Sequence, residues 1–563
     1  MLLNYSMKYI GIISKKRINN KEYYYHQYRD NGKMVTNIVS PFEAYDLAFK
    51  IKYSSQFDLD EFLNHKFKTK VLFGAYLYDS IYLVKNKKRR FIFDDLNNYI
   101  KGDSHGKVFI LYGLRRTGKT TLMFQAIESI DIKEFSSCAY ITINENDTYY
   151  NLMDDLDYLC NHGFKYIFID EITLLDNFIA MSSTLSDFYA LRSKIIVSGT
   201  DSLSFLFSAH EELYDRAFIC HTTFISYKEF SEVLGINSID KYIEYGGTMA
   251  IEGVNYNNVN TEGINEYVDS AIAHNIIHSL KYYNDGDHFL SLYDLYEKGE
   301  LVNAINRIVE DQNHRFAIST IERTFKSHDY GSLKELIRKN IDDNVKKSLN
   351  DVDENEIVNR LMKSLDIINK DKQTHKIDNN VIIQIEEYLR LLDVCNEVDE
   401  VNATTFEINK KKVITQPGLR YSQAKILVNI LMNEKSVYIL PSKIKKVIVD
   451  KLLSDIKGKM LEEIVIYHTS LTNKNTFKLV FPIGEYDMVT YDEEKESSSI
   501  FEIKYSKERD DKQSLYLKND KMNDIVSGAY YPITQRTVLY RGETIINEND
   551  ISYINVSDYL KSI

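Results

Sequence analysis

The sequence predicts an α/β protein organised on a parallel sheet with helices on both faces. Three observations carry this expectation. Short apolar runs at Val108–Tyr112, Tyr166–Ile169 and Lys194–Val197 alternate with stretches of helical periodicity. The turn after the first run is Gly113-Leu-Arg-Arg-Thr-Gly118-Lys119-Thr120, which meets the spacing G-x-x-x-x-G-K-[ST] in full. The second run ends in Asp170-Glu171 and the third in Ser198-Gly-Thr200, so polar groups collect at strand C-termini, where open parallel sheets hold ligands.

The turn is read as a phosphate-binding loop, which makes the core a P-loop NTPase. Its two glycines let backbone N–H groups point inward onto phosphate oxygens. The helix expected from Leu122, Met123, Ala126, Ile127 and Ile130 adds the positive end of its dipole. Lys119 is placed for the β- and γ-phosphates and the Thr120 hydroxyl for Mg²⁺, with Arg115, Arg116, Thr117 and Thr121 alongside. Asp170 is expected to hold Mg²⁺ and Glu171 to polarise the attacking water. Ser198 and Thr200 stand at the same sheet edge, either sensing the γ-phosphate or capping the next turn. Phosphoryl transfer gains from a cation on the developing charge, often supplied by a neighbouring subunit. Arg216 is the first candidate and implies a homo-oligomer; a surface ion pair is the competing reading for it and for Arg115 and Arg116. The expected cofactors are ATP and Mg²⁺.

With 563 residues the chain exceeds one core, and at about 150 residues per domain it holds three or four units. Its 44% hydrophobic and 27% charged residues fit a globular protein. No apolar run approaches the ~20 residues that cross a bilayer, so no membrane partner is expected. The N-terminus lacks a signal pattern, and the four cysteines have no metal-like spacing, so the expected location is cytoplasmic. A net charge of −12 argues against a general polyanion binder; DNA contact would need a local basic surface such as Lys85–Arg90, which reads first as a solvated face or linker.

Residues 1–55 read as a small hairpin and helix module. Lys21–Arg29 has strand composition, Asn31-Gly32 marks a hairpin, Lys33–Val39 returns, and Ser40-Pro41 opens a helix through Lys50. Its tyrosines and basic ends (Lys15, Lys16, Arg17, Lys33) suit either nucleic-acid contact or an aromatic packing face. Residues 56–105 read as a helical connector, 106–237 as the ATPase core and 238–380 as a helical lid and helical region. Helices are expected around Ile305, Ile318 and Ile337, with charge-rich breaks near Asp351 to Glu356 and Asn369 to Lys376. Residues 381–446 suggest helices flanking a small hairpin of 404–409 and 412–415, which is winged-helix-like. Residues 447–563 read as a small α/β domain with a helix at 457–467, strands at 477–480, 486–491, 500–505 and 538–540, and a helical segment at 513–526.

GLRRTGKT, FIDEI, VSGTDSL, LYDRA and Thr223-Phe-Ile-Ser-Tyr-Lys-Glu-Phe230 together resemble a bacterial and archaeal family of AAA-like P-loop ATPases, many of which carry a C-terminal restriction-endonuclease-like domain. The resemblance covers roughly Lys107 to Met249 and resumes at Lys412. It implies an arginine at the position of Arg216, and matches Tyr227–Phe230 and Gly246-Gly247. Thr173 departs from it, since many relatives have Gln there. In the C-terminal part Glu462, Asp487, and Glu502 with Lys504 resemble the PD-(D/E)xK nuclease core, although the proline before the aspartate is missing. That resemblance implies that Glu462, Asp487 and Glu502 bind Mg²⁺ while Lys504 orients or deprotonates water. Gln513 matches a glutamine found after the core in some of these nucleases. From spacing alone, Glu502 and Lys504 share one strand face, as solvent-facing hairpin residues also do.

Two functions remain open on this sequence. One is an ATPase controlling an Mg²⁺-dependent nuclease-like domain, in genome defence or a mobile element. The other is a nucleotide-switched assembly or partner-binding scaffold whose nuclease-like domain only binds. A DNA-remodelling motor fits less well with the acidic charge and the lack of helicase-like motifs.

Overall fold

A computed structural model describes residues 11–19, 21–54, 56–175, 183–200, 215–249, 272–273, 292, 295, 297–326, 363, 378–438, 441–548 and 550–563. The described residues fall into two compact units, one ending at Thr223 and one starting at Phe224. The expected helix around Ile337 and the charge-rich breaks at 351–356 and 369–376 lie outside the described residues.

The first unit opens with an antiparallel sheet, β1 (Ile12–Ile18), β2 (Lys21–Asp30) and β3 (Lys33–Val39), turned at Asn31-Gly32, whose φ angles of 48° and 81° are those a tight hairpin needs. Helix α1 (Pro41–Tyr53) follows, with Ser40 accepting the Glu43 amide at 3.2 Å and proline in its first turn. Ile13 and Tyr24 on one sheet face are buried with Ala44 and Tyr45 of α1. Two helices, α2 (Leu59–Asn64) and α3 (Gly74–Tyr82), flank strand β4 (Lys70–Phe73), and α4 (Phe93–Lys101) leads into the core. The connector is thus not wholly helical: β4 pairs antiparallel with the core sheet, a role its four residues do not announce.

The core strands are β5 (Val108–Tyr112), β6 (Cys138–Thr142), β7 (Tyr166–Asp170), β8 (Lys194–Gly199) and β9 (Ala217–His221). The six-stranded sheet runs β4-β6-β7-β8-β5-β9, parallel throughout except at β4. All five residues of β5 are buried, as a parallel strand covered on both faces requires. Helix α5 (Lys119–Glu128) starts at the glycine loop, α6 (Ile132–Phe135) is short, and α7 (Tyr149–Asn161) is capped by Thr148.

In the second unit α8 (Tyr227–Leu234), α9 (Ile239–Tyr245), α10 (Leu301–Lys326), α11 (Asn379–Leu391), α12 (Pro417–Asn433) and α13 (Ser442–Thr472) precede or flank an eight-stranded sheet. Its strands are β10 (Cys395–Asn402), β11 (Ile408–Ile414), β12 (Thr476–Phe481), β13 (Gly484–Asp492), β14 (Ser497–Ile503), β15 (Ile533–Tyr540), β16 (Ile545–Glu548) and β17 (Ile551–Asn555), in the order β11-β10-β12-β13-β14-β15-β17-β16. Helices α14 (Asp520–Ala529) and α15 (Val556–Ser562) complete it.

Three expectations are corrected here. The hairpin at 395–414 is no separate winged helix: β10 pairs in parallel with β12 and extends the C-terminal sheet. Its buried residues Cys395, Val398 and Val401 recur every third position, which hides the period of two that marks a strand. Helix α13 runs 31 residues, not 11, because Ile444, Ile448, Leu452, Ile456 and Met460 form a buried stripe four apart; the expected boundary after residue 446 falls inside it. The segment expected to be helical from Gln513 breaks into two 3-10 turns before α14.

Candidate nucleotide and metal sites

The glycine loop leaves β5 and enters α5 without room for other residues at its hinges. Gly113 has φ 141°, and a Cβ there would lie 2.5 Å from Thr222 Oγ1; Gly118 has φ 91°. Thr117 is buried in the turn, where its hydroxyl donates to the Leu114 carbonyl at 2.8 Å and meets Thr222 Oγ1 at 2.7 Å. The Leu114 amide donates to Thr223 Oγ1 at 3.1 Å. Arg90 completes the clamp. Its buried guanidinium donates to the Thr117 carbonyl at 2.7 Å and the Thr222 carbonyl at 2.8 Å. The basic run Lys85–Arg90 is therefore not simply a solvated face.

Lys119 is buried and donates to the carbonyls of Gly113 and Leu114 at 2.7 and 2.9 Å. Burial lowers its pKa to about 8, against the attraction of Glu171 and Asp170. His221, at the end of β9, stacks on Tyr112 with ring centroids 4.6 Å apart and lies 3.0 Å from Thr223 Oγ1. Burial, helped by the charges of Lys119 and Arg90, holds it down to about 4, so it is neutral near pH 7.

At the end of β7, Asp170 is buried and accepts from three hydroxyls: Thr120 at 2.8 Å, Tyr140 at 2.5 Å, and Ser198. Thr120 and Asp170 thus sit together, a hydroxyl and a carboxylate oxygen suited to a hard divalent cation. Glu171 adopts φ 57°, rare for a residue with a Cβ, and its carboxylate accepts from Thr200 at 3.3 Å. Thr173 is buried in the turn that follows. Arg115 and Arg116 are exposed on the loop, and Thr121 follows Thr120 in the first turn of α5.

Arg216 stands elsewhere. It precedes β9, whose Ala217 pairs with Val108 at the start of β5, whereas the phosphate loop leaves the other end of β5 at Tyr112. Four residue steps at ~3.3 Å separate the two ends by about 13 Å. Arg216 is half exposed and pairs with Asp187 at 3.0 Å. It is out of reach of its own loop.

In the second unit Glu462 on α13 and Glu485 and Asp487 on β13 converge, with one carboxylate oxygen of each within 4.8 Å of the others. Glu485 joins two expected residues. Asp487 also accepts from the Ile503 amide at 2.8 Å and from Lys504 at 3.0 Å. Glu502 is buried and faces Lys504, which donates to it at 2.5 Å. Glu502 therefore shares a lysine with Asp487 and lies outside the three-carboxylate group. Burial works to raise the Asp487 pKa, but Lys504, Lys478 and the Ile503 amide overcome it and hold this carboxyl well below the usual range. Burial and the Asp487 charge push Glu502 well up. Lys504 is desolvated too, yet the charges of Asp487 and Glu502 beside it push its pKa up. Lys459 pairs with Glu462, and Lys478 with Glu485 at 2.8 Å. Gln513 donates to Ser506 Oγ at 2.7 Å and to the Glu508 carbonyl at 3.0 Å.

Beside this cluster opens a groove of about 550 Å³. Its cations are Arg323, Lys451, Lys459, Lys504, Lys507 and Arg541, against Asp455 and Glu462. Among the described residues no helix is long and apolar enough to cross a membrane.

An uncharacterised protein of Methanocaldococcus jannaschii, MJ1544, is 25% identical over 236 residues, 38% of this chain and 51% of that protein. The chain thus spans about half the length of this curated relative. The Orc1 protein of Aeropyrum pernix in complex with DNA aligns at 10% identity and a TM-score of 0.23, over 62% of this chain and 98% of that one. Residues 105–231 match the family described as AAA domain. This segment, with its clamped glycine loop and strand-end carboxylates, is similar to an AAA-type P-loop ATPase domain.

Proposed function

We propose that nucleotide turnover at the ATPase domain controls an Mg²⁺-dependent nuclease-like centre in the C-terminal sheet. The observation that carries this reading is the convergence of Glu462, Glu485 and Asp487, with Glu502 and Lys504 beside them, on a cationic groove. Three carboxylates on a rigid helix and strand fit a hard divalent cation, which when bound would polarise a phosphodiester and activate water. The groove cations would hold the neighbouring phosphates. In the ATPase domain Lys119 would hold the β- and γ-phosphates, Thr120 and Asp170 the Mg²⁺, and Glu171, steadied by Thr200, the attacking water. Arg216, remote from its own loop, would serve a neighbouring copy in a homo-oligomer.

The test is degradation of plasmid and duplex oligonucleotides with ATP and Mg²⁺, beside Asp487→Asn, Lys504→Ala and Glu171→Gln. Cleavage that both C-terminal substitutions abolish supports the reading; no cleavage by wild type, or cleavage unchanged in Lys504→Ala, refutes its nuclease half. A second reading rests on Glu502, which is turned to Lys504 and outside the carboxylate triad. On that reading the chain is an ATP-switched scaffold whose C-terminal domain only binds. Sedimentation of Glu171→Gln and Arg216→Ala with and without ATP separates the two: ATP-driven assembly without cleavage favours the scaffold.

A further inference from the structure

The N-terminal sheet has two faces of opposite character. The inner face carries Ile13 and Tyr24 into the core with α1. Strand alternation and the cross-strand register put Ile12, Ser14, Lys16, Ile18, Lys21, Tyr23, Tyr25, Gln27, Arg29, Met34, Thr36 and Ile38 on the outer face. Three cations lie there: Lys16, Lys21 and Arg29. Both carboxylates of the sheet, Glu22 and Asp30, fall on the inner side by the same alternation. Glu22 is neutralised there by Lys15 at 2.9 Å and by Lys85. In a chain of net charge −12, this face is positive without a single acid. It is also open: Ile38 is 69% exposed and Ile12 56%. Lys16 lies over the Tyr25 ring, 5.6 Å from its centroid, so charge and aromatic surface are presented together.

We propose that this outer face binds duplex DNA, as a site separate from the groove beside the C-terminal carboxylates and independent of the nuclease reading. The cations all lie on β1 and β2, and two strands at ~4.8 Å spacing form a ribbon about 10 Å across, narrow enough for a major groove ~12 Å wide. Lys16, Lys21 and Arg29 would meet phosphates, while Gln27, Tyr23 and Tyr25 offer groups that contact base edges and Ile38 offers a thymine methyl contact. An apolar protein partner would find three unmatched cations on this surface, which is why DNA is the better occupant.

The experiment titrates full-length protein against a labelled mixed-sequence duplex of about 20 base pairs in EDTA without nucleotide, from 50 to 200 mM salt. Three phosphate contacts contribute a slope of about −2.7 to log K against log salt, roughly a forty-fold change over that range. Lys16→Ala/Lys21→Ala/Arg29→Ala is expected to lose that share of the slope and weaken binding about tenfold or more at the low-salt end, with ATP hydrolysis at the wild-type rate as proof of folding. Lys504→Ala/Lys507→Ala is expected to retain the slope share that the triple variant loses. Wild-type affinity and slope in the triple variant, or no duplex binding by the wild type, overturn the proposal. So does a result in which Ile12→Ser/Ile38→Ser changes the sedimentation of the protein and leaves DNA affinity alone, which would assign the face to protein contact.

Discussion

Replacing Arg90 with alanine tests whether the phosphate loop is pre-formed by its neighbours. One guanidinium nitrogen serves two buried carbonyls, of Thr117 at 2.7 Å and Thr222 at 2.8 Å. Each buried acceptor left without a donor costs about 1–3 kcal/mol, giving about 2–6 kcal/mol for the pair. The space vacated by the long side chain admits water, which moves the expected loss toward the lower end, about 2–3 kcal/mol. Roughly half of this belongs to Thr117, inside the loop. If that share is spent on loop order, it weakens nucleotide binding by about tenfold, since 1.4 kcal/mol is a factor of ten. Arg90→Lys keeps the charge but not the two-carbonyl fork, and should fall between. The assays are titration with a fluorescent ATP analogue and chemical denaturation of the same preparations. A cycle with Thr222→Val adds a control: Thr222 holds Thr117 directly at 2.7 Å, so the two losses should interact by about 0.5 kcal/mol or more. Wild-type affinity and stability in Arg90→Ala, or strict additivity in the cycle, would refute the clamp.

Tyr140→Phe removes one of three hydroxyl donors to Asp170, a charge-assisted bond of about 1.5–3 kcal/mol, and should raise the Mg²⁺ concentration for half-maximal ATP hydrolysis by about tenfold or more; an unchanged Mg²⁺ titration refutes it. Burial alone holds His468 at about 3, below its ordinary 6.5, so its contribution is intact above pH 6.5 and lost as pH falls toward 3. At about pH 5 the loss is ~2 kcal/mol, and denaturation midpoints of His468→Gln should vary less with acid than those of wild type. Glu463 is buried against Arg420 and also pairs with Lys411 at 3.0 Å. Lys411 still faces the carboxylate in Arg420→Met, so the substitution should cost about 1.5–3 kcal/mol, the worth of a charge-assisted bond, and Arg420→Met/Glu463→Leu should recover part of it; a double variant no more stable than the single one contradicts the pairing.

What was legible in the sequence is what depends on neighbours in sequence. The glycine loop needs a strand before it and a helix after it, and both are written in adjacent residues. The strand-end residues Asp170, Glu171, Ser198 and Thr200 were legible for the same reason, since a buried parallel strand is a bare apolar run. Arg90 was not, because its acceptors lie 27 and 132 residues away. Tyr140 is one apolar-run tyrosine among 43 in the chain until Asp170 is set beside it. Glu485 is different: it stands two residues before Asp487 on one strand, and the alternation that pairs Glu502 with Lys504 also puts Glu485 and Asp487 on one face. Strand β10 stayed hidden because Cys395, Val398 and Val401 do not alternate in twos, and only the partner strands reveal it.

The two carboxylate centres differ in how their charge is met, and this sets what each can take up. Asp170 is held by hydroxyls, which orient it and leave its negative charge uncompensated by any of these three donors. A divalent cation arriving with nucleotide phosphates therefore meets an oriented, unspent ligand. In the C-terminal sheet the carboxylates are matched by ammonium groups: Lys459 at Glu462, Lys478 at Glu485, and Lys504 between Asp487 and Glu502. A cation entering there finds the carboxylates already balanced by ammonium groups, so it meets little net attraction. Such a centre takes up a divalent ion readily only when something anionic arrives with it or a lysine turns away. A polyphosphate backbone in the adjoining groove supplies the first, and Lys504 turning toward a phosphate supplies the second. On the nuclease reading, cation binding and nucleic-acid binding should accordingly reinforce each other at this centre, and Lys504→Met should bind Mn²⁺ more tightly than wild type while failing to cleave.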